Sequence, residues 1–167
     1  MQVQHLRMDG LNYWQGETLM DWAYPSTERV EIVANNLRPQ DELEVWLSDG
    51  ISGYDAVMES FYESTVSRVI MSDHNTPVGV TGVCGDRIWL LGTTELANTK
   101  SHRWQLAVHG RQWVKHCIDV VGGPIGNHVY AENRLAIRWL KHLGFVVEKA
   151  QPFGVNEASF CEFWRSA

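Results

Sequence analysis

The stretch HVYAENRLAIRWLKHLGF, residues 128–145, decides the fold more than any other part of this chain. A short β-prone run leads to Asn133, whose side-chain oxygen can accept from the first N–H groups of a helix. An apolar residue recurs every four positions from Leu135 to Leu143, which gives that helix one apolar face. Gly144 is typical of the left-handed residue that ends a helix. The stretch therefore predicts a strand, an asparagine-capped helix and a second strand.

The same residues carry a family resemblance. The pattern Asn133-x-x-Ala136-Ile137, followed by Gly144-Phe145, resembles the C-terminal motif of the GCN5-related N-acetyltransferase (GNAT) superfamily. In that family the corresponding helix helps to hold coenzyme A. The resemblance implies a mixed α/β fold with a strongly twisted sheet of about six or seven strands and helices on both faces. It also implies acetyl-CoA as the cofactor and an amine as the acetyl acceptor.

A narrower resemblance points to GNAT-like proteins of short-tailed bacteriophages, among them a small internal virion protein. It rests on residues 88–94, IWLLGTT, and on the motif from residue 133 to 145. In order of elements it covers residues 29–165. It implies a single GNAT-like domain over residues 29–167, preceded by an irregular acidic and aromatic leader, residues 1–28, packed on or near the domain. It places the protein in the host cytoplasm or in the phage virion.

Periodicity and turn residues predict the other elements. The predicted strands cover residues 29–34, 68–71, 77–84, 88–92, 128–131, 145–149 and 159–164. The predicted helices, besides the one after Asn133, cover residues 38–47, 54–65 and 101–121. This order of strands and helices is the GNAT order, and it extends the resemblance beyond the local motif.

Composition limits the class of protein. The chain has 167 residues, of which 44% are hydrophobic and 20% charged, as expected for one globular domain. No apolar run approaches the roughly 20 residues that a membrane helix needs, and the first residues lack the apolar core of a signal peptide. Cys84, Cys117 and Cys161 are scattered without metal-ligand spacing, so we expect reduced thiols and no metal site.

Charge is distributed unevenly along the chain. Residues 1–63 contain 12 acidic and 3 basic residues, a net charge of −9, and the rest of the chain has a net charge of +3. The acidic leader, with Trp14 and Trp22 expected to be exposed, argues against direct nucleic-acid binding and favours a protein partner or a lid over the cleft. Residues 96–118 contain no acid and four bases, which indicates either a phosphate-binding segment or a solvated helix face.

The cofactor residues follow from the resemblance. GNAT enzymes commonly bind the pyrophosphate with a Gln/Arg-x-x-Gly-x-Gly/Ala turn after the central strand. Here the sequence is GTTELANTKS, residues 92–101, and the glycine spacing is absent. Polar and basic side chains at the next helix N-terminus would have to replace it. The predicted cofactor-binding residues are Gly92, Thr93, Thr99, Lys100, Ser101, Arg103, Asn133, Ala136 and Arg138.

The catalytic residues are less clearly indicated. GNAT enzymes often place a tyrosine seven residues after the motif asparagine as the acid for the leaving thiolate, and here that position is Leu140. Tyr130 is the nearest tyrosine in sequence, although it also fits as a packing residue of a strand. Glu95, His128 and Glu132 lie at strand ends and are candidate general bases. Glu95 is preferred because it follows the central strand at the cofactor turn.

Two functions of different classes therefore remain. In the first, the chain is an acyltransferase that moves acetyl from acetyl-CoA to an unidentified amine. In the second, the chain keeps the fold without the chemistry and acts by contact with a phage or host protein.

Overall fold

The computed structural model describes residues 20–167, and within this part the chain forms five α-helices and eight strands of one sheet. The helices are α1 (Thr27–Ala34), α2 (Pro39–Asp49), α3 (Gly53–Glu63), α4 (Lys100–Val121) and α5 (Arg134–His142). The strands are β1 (Asp21–Ala23), β2 (Val66–Met71), β3 (Pro77–Cys84), β4 (Arg87–Gly92), β5 (Ile125–Tyr130), β6 (Val146–Val147), β7 (Gln151–Pro152) and β8 (Ser159–Arg165). The predicted α/β class is confirmed.

The strand order across the sheet is β1-β2-β3-β4-β5-β8-β6, and β7 pairs with the end of β8. All neighbouring strands are antiparallel except β4 and β5, which are parallel. The count exceeds the seven predicted strands by one, because β1, with three residues, and β7, with two, were not predicted, while the predicted strand over residues 29–34 is absent. The single parallel pair lies in the middle of the sheet.

The two faces of the sheet are covered by different helices. On one face, Val69 and Val80 pack in a cluster with residues of α1 and α3, and we call it the α1/α3 face. On the other face, Val83, Ile88 and Val129 pack in a cluster with residues of α4 and α5, and we call it the α4/α5 face. Successive strand residues alternate between these faces. Any gap between two central strands therefore connects the two helical layers.

The predicted strand over residues 29–34 is wrong, because this segment lies inside helix α1. Val30, Val33 and Ala34 are its buried residues, and their spacing is helical. Ser26 caps the helix, and its hydroxyl accepts from the Arg29 N–H at 3.3 Å. The alternation of RVEIVA was read as a strand, and the serine cap three residues upstream was missed.

The first strand lies instead in the segment that was expected to be irregular. β1 pairs antiparallel with β2, with Trp22 opposite Ile70. Trp22 is partly buried against two core clusters, so it is not the exposed aromatic that was predicted. Trp14 and the rest of residues 1–19 lie outside the described residues.

The remaining elements match the predictions closely. β3 has the predicted bounds, and α2, α3, α4 and α5 lie where the helices were expected. β5 begins three residues earlier than predicted, at Ile125, and β6 is shorter than the predicted strand 145–149. Within residues 20–167, no helix is both long and apolar enough to cross a membrane. Cys117 and Cys161 are buried and Cys84 is half-buried, and all three are free thiols.

Candidate active site

The site is an opening between β4 and β5 in the middle of the sheet. These strands are paired at a single register position, Arg87 with Gly126. Beyond this position the two strands diverge, so the sheet is split over the rest of their length. Parallel neighbours in a continuous sheet would lie about 4.8 Å apart and exchange regularly spaced hydrogen bonds.

A cavity of about 550 Å³ occupies this opening and is lined from both faces of the sheet. From the α4/α5 face it is lined by Leu90, Leu106, Trp113, Ala136 and Trp139, among others. From the α1/α3 face it is lined by Asp41, Glu44, Trp89, His128 and Phe153, among others. A ligand bound on one face of the sheet could therefore contact a ligand bound on the other face through this opening.

The opening has an inner end, next to the paired residues Arg87 and Gly126, and there it is closed by the side chain of Asn127. Its amide nitrogen donates to the Ile88 carbonyl at 3.0 Å across the two strands. Its amide oxygen accepts from the His128 N–H at 2.9 Å. Gly126 at the paired position is required by close packing, because a Cβ there would collide with the Phe163 carbonyl. The inner end is thus fixed by a side-chain bridge and a tight backbone contact.

At the opposite, outer end of the opening, the last residue of β4 is held by Asp41 of α2. Asp41 is only 3% exposed, and its carboxylate accepts from the Gly92 N–H at 2.8 Å. The other carboxylate oxygen accepts from Arg38 Nε at 2.7 Å. The Arg38 N–H in turn donates to the Gly92 carbonyl at 3.0 Å. Both backbone polar groups of Gly92 are therefore bound to the start of α2.

The outer end on the β5 side is held by Glu44, one turn further along α2. Its carboxylate accepts from the Tyr130 N–H at 2.8 Å and from Asn133 Nδ2 at 2.8 Å. Asn133 is 3% exposed and caps α5 by accepting from the Ala136 N–H. Glu44 therefore connects α2 with the end of β5 and with the start of α5.

Burial dominates the electrostatics of both carboxyl groups. Loss of hydration raises the pKa of Asp41 above its usual 3.8, although the Arg38 guanidinium and the Gly92 N–H act in the opposite direction. Burial also raises the pKa of Glu44 above 4.5, against the Tyr130 and Asn133 donors, and the nearby Asp41 charge adds to the rise. These acids bind protons more readily than surface carboxylates do.

The predicted phosphate site is built around the start of α4. Thr99 caps this helix, and its hydroxyl accepts from the His102 N–H at 3.0 Å. Lys100 is exposed, and Ser101 Oγ accepts from Gln105 Nε2 at 3.1 Å. Arg103 lines the cavity and donates to the Ala97 carbonyl at 3.0 Å. A helix N-terminus flanked by two cations suits an anionic ligand, although which ligand it binds stays a prediction.

Gly92 and Thr93 have structural contacts that account for their identity. A Cβ at Gly92 would collide with the Leu96 side chain, so the glycine is needed for packing of the short 3₁₀ turn that follows β4. Thr93 is buried, and its N–H donates to the Val78 carbonyl at 2.8 Å. Its hydroxyl is buried without a partner among the described residues. Their predicted contact with a cofactor remains untested.

The predicted residues of α5 fall into two groups. Asn133 and Ala136 line the cavity, whereas Arg138 is exposed and does not line it. Leu140, in the position of the family's tyrosine, is buried in the core and reaches the cavity wall. It has no proton to donate, so the structure offers no acid at that position.

Of the candidate bases, only His128 lines the cavity. Its ring is stacked on Phe153, with centroids 3.7 Å apart and an angle of 9° between the planes. Glu95 and Glu132 are exposed and lie outside the cavity lining. The Tyr130 ring is tilted against Phe160 at 5.5 Å, and it is the backbone of Tyr130, not its hydroxyl, that contacts Glu44.

Sequence analysis missed Asp41 and Glu44. A weak signal was present, because Asp41, Glu44, Val45 and Ser48 follow one helical stripe, and all four line the cavity. Polar residues on an inward stripe indicate either a solvated face or a site, and the sequence gives no means of choosing.

Charge differs between the two ends of the cavity. The acidic residues that line it all belong to α2 and α3, on the α1/α3 side: Asp41, Glu44, Asp49, Glu59 and Glu63. On the α4/α5 side Arg103 is the charged lining residue and Lys100 lies in the same first turn of α4, whereas Arg38 and Arg87 line the cavity on the side of the five acids, which outnumber them. Long-range electrostatics therefore favour an anion on the α4/α5 side and a cation on the α1/α3 side.

Solved structures of N-acetyltransferases share this architecture. The spermidine N-acetyltransferase of Vibrio cholerae, in complex with CoA and spermine, superposes with a TM-score of 0.63 at 12% identity over 89% of this chain and 96% of that one. Ard1 of Thermoplasma volcanium gives 0.61 at 15% identity over 87% and 96%. A putative phosphinothricin N-acetyltransferase gives 0.63 at 8% identity over 88% and 98%.

The sequence itself matches no protein-family model and no curated protein. The similarity is therefore one of fold, and it covers nearly the full length of the described domain. The chain has the GNAT fold.

Proposed function

We propose that this protein is an acetyl-CoA-dependent N-acetyltransferase in which the cofactor enters from the α4/α5 side and an amine enters from the α1/α3 side. The observation that carries the proposal is the opening between β4 and β5, which joins both sides of the sheet through one cavity. Direct transfer needs the two reactants to meet in such a passage, with the acyl carbon within reach of the amine.

The α4/α5 side fits the phosphates of the cofactor. Lys100 and Arg103 lie in the first turn of α4, where the helix dipole also favours negative charge. The apolar wall formed by Leu106, Ala136 and Trp139 suits the less polar arm of the cofactor, which would lead from the phosphates into the opening. When bound, acetyl-CoA would supply the acetyl group as an activated thioester.

The α1/α3 side fits a cationic amine. The carboxylates of α2 and α3 would attract an ammonium group, which must lose a proton before its nitrogen can attack. His128 lines the cavity on this side and is the base that we propose for this proton. The fold that this chain shares with a spermidine N-acetyltransferase agrees with a multiply charged amine as acceptor.

A second function is favoured by two observations. Leu140 cannot act as an acid, and the edge N–H groups of Gly92 and Tyr130 already donate to carboxylates within the protein. A GNAT fold without catalysis would then act by contact with a phage or host protein. The phage setting, and with it the host cytoplasm or virion as location, is a proposal that rests on the sequence resemblance.

The test is an acetyl-transfer assay that measures release of free CoA thiol from acetyl-CoA with spermidine as acceptor. We expect turnover with the wild-type protein and loss of measurable cofactor binding in the double variant Lys100→Ala, Arg103→Ala. Removal of two cations from a phosphate site should weaken binding by about 3 kcal/mol or more. The fold should persist because both side chains lie outside the core clusters.

A matched control replaces two exposed lysines away from the start of α4, Lys115→Ala with Lys141→Ala. This variant removes the same charge and should bind acetyl-CoA as the wild type does. If both double variants bind equally, the phosphate site is misplaced. If the wild-type protein neither binds acetyl-CoA nor releases thiol with any amine, the acetyltransferase proposal is refuted and the contact function is the candidate that remains.

A further inference from the structure

The opening in the sheet needs something to keep it open, because two exposed strand edges facing each other would otherwise pair. The Gly92 and Tyr130 N–H groups lie beyond the last paired position, one on each strand. Strand N–H groups are strong donors, and leaving them unpaired in a buried place is costly. In this structure both donate to carboxylates of the same helix.

We propose that Asp41 and Glu44 are positioning residues that hold β4 and β5 apart and so set the width of the passage. This inference rests on the proposed function for its role in catalysis, while the structural part stands independently. Asp41 fixes the end of β4, and Glu44 fixes the end of β5. Because they lie one turn apart on α2, the helix itself determines the spacing of the two strand ends.

The contacts of Asp41 and Glu44 with the strand ends are hydrogen bonds to carboxylates, which hold more strongly than ordinary packing of a helix on a strand. Each is a hydrogen bond from a backbone N–H to a carboxylate at 2.8 Å, which in its ionised form is stronger than a bond between neutral groups. The Arg38 side chain orients Asp41, and Asn133 orients Glu44. Each carboxylate accepts two hydrogen bonds, so its position is fixed at both oxygens.

Glu44 also extends this effect to the cofactor side of the passage. Its second oxygen accepts from Asn133, the residue that caps α5, and Ala136 and Trp139 of that helix line the cavity. A change at Glu44 should therefore move the end of β5 and the start of α5 together. A change at Asp41 should move the end of β4 alone.

The first test is amide hydrogen exchange on the full-length protein without ligand, comparing wild type with Asp41→Asn and Glu44→Gln. These variants keep the size of each side chain but place an amide where two donors converge. We expect exchange at Gly92 to accelerate about tenfold or more in Asp41→Asn, and exchange at Tyr130 likewise in Glu44→Gln. Glu28→Gln, an exposed acid of α1, is the control and should change neither amide.

The second test compares the affinity for acetyl-CoA with that for adenosine 3′,5′-bisphosphate, which carries phosphates but no thioester arm. We expect both strand-end variants to bind acetyl-CoA about tenfold more weakly and the bisphosphate as the wild type does, because the start of α4 is untouched. The same variants should reduce kcat for the amine more than they raise KM.

The outcomes separate this inference from the proposed function. Unchanged exchange at Gly92 and Tyr130 in the variants would overturn the positioning role whether or not the protein binds a cofactor. Equal weakening for both probes would indicate general loss of structure and would also contradict it. Failure of the wild-type protein to bind either probe would refute the proposed function, and the exchange rates would still decide whether the carboxylates hold the opening.

Discussion

At the scale of single residues, the contacts that matter most connect distant parts of the sequence. Asp41 reaches Gly92 across 51 positions, and Glu44 reaches Tyr130 across 86. Sequence analysis explains acids in the first turn of a helix by their favourable interaction with its dipole. This local role is sufficient to explain Asp41, and it gives no indication of the distant contact with Gly92. The motif residue Asn133 was predictable because its main partner, the Ala136 N–H, is three residues away.

A buried histidine gives a prediction about stability at mild acidity. His109 of α4 is buried beside the Trp22 ring, and burial lowers its pKa below the usual 6.5. Below that value the unfolded chain binds a proton that the folded chain resists, so stability is lost as pH falls through 6.5 toward the folded pKa. We expect the free energy of unfolding to decline from about pH 7 to pH 5, and to decline less in His109→Gln.

Urea denaturation at several pH values measures this effect. His74→Gln, at an exposed histidine of the turn after β2, is the control for the substitution itself. Parallel curves for wild type and His109→Gln would show that His109 titrates alike in the folded and unfolded chain.

At the scale of elements, prediction succeeded where pattern and end signals agreed. β3 is bounded by Pro77 and by the turn after Cys84, and its predicted range is the observed one. Residues 29–34 fit both a strand and a helix by pattern, because Val30, Ile32 and Ala34 recur with the period of a strand and Val30, Val33 and Ala34 with that of a helix. The hydrogen bond from the Arg29 N–H to the Ser26 hydroxyl stabilises the first turn of α1 and so favours the helix. Short edge strands such as β7 carry too few residues for any pattern to reveal them.

The inner end of the opening provides a prediction at this scale. Gly126 lies where a Cβ would meet the Phe163 carbonyl of β8, so Gly126→Ala must displace one strand from another. We expect a loss of about 2–3 kcal/mol or more in the free energy of unfolding, the usual range for overpacking in a core. Thermal or urea unfolding measures it directly.

Gly123 offers a matched control for that change. It lies just before the same strand, and a Cβ there would meet nothing within 4 Å. Gly123→Ala should therefore leave stability unchanged or raise it slightly by restricting the unfolded chain. Equal effects of the two substitutions would mean that the close contact between β5 and β8 does not constrain position 126.

At the scale of the whole molecule, the fold expected from the motif at residues 133–145 and from the order of elements is confirmed, and solved N-acetyltransferases share it over nearly their full length. The sheet is divided in its middle, with five acids and two arginines lining the α1/α3 side of the resulting passage and Arg103 lining the α4/α5 side. The sequence already showed an acidic N-terminal part and a segment after Glu95 with bases and no acids. Only the fold shows that these regions lie on opposite faces of one opening.

The central claim is that this opening receives acetyl-CoA, and isothermal titration of the purified wild-type protein tests it most directly. Acetyl-CoA is titrated first and free CoA second, so that the contribution of the acetyl group can be read from the difference. We expect the wild-type protein to bind acetyl-CoA saturably, with a dissociation constant on the order of micromolar. Absence of heat, together with an unchanged melting temperature at about 1 mM ligand, would contradict it and leave the contact function as the remaining candidate.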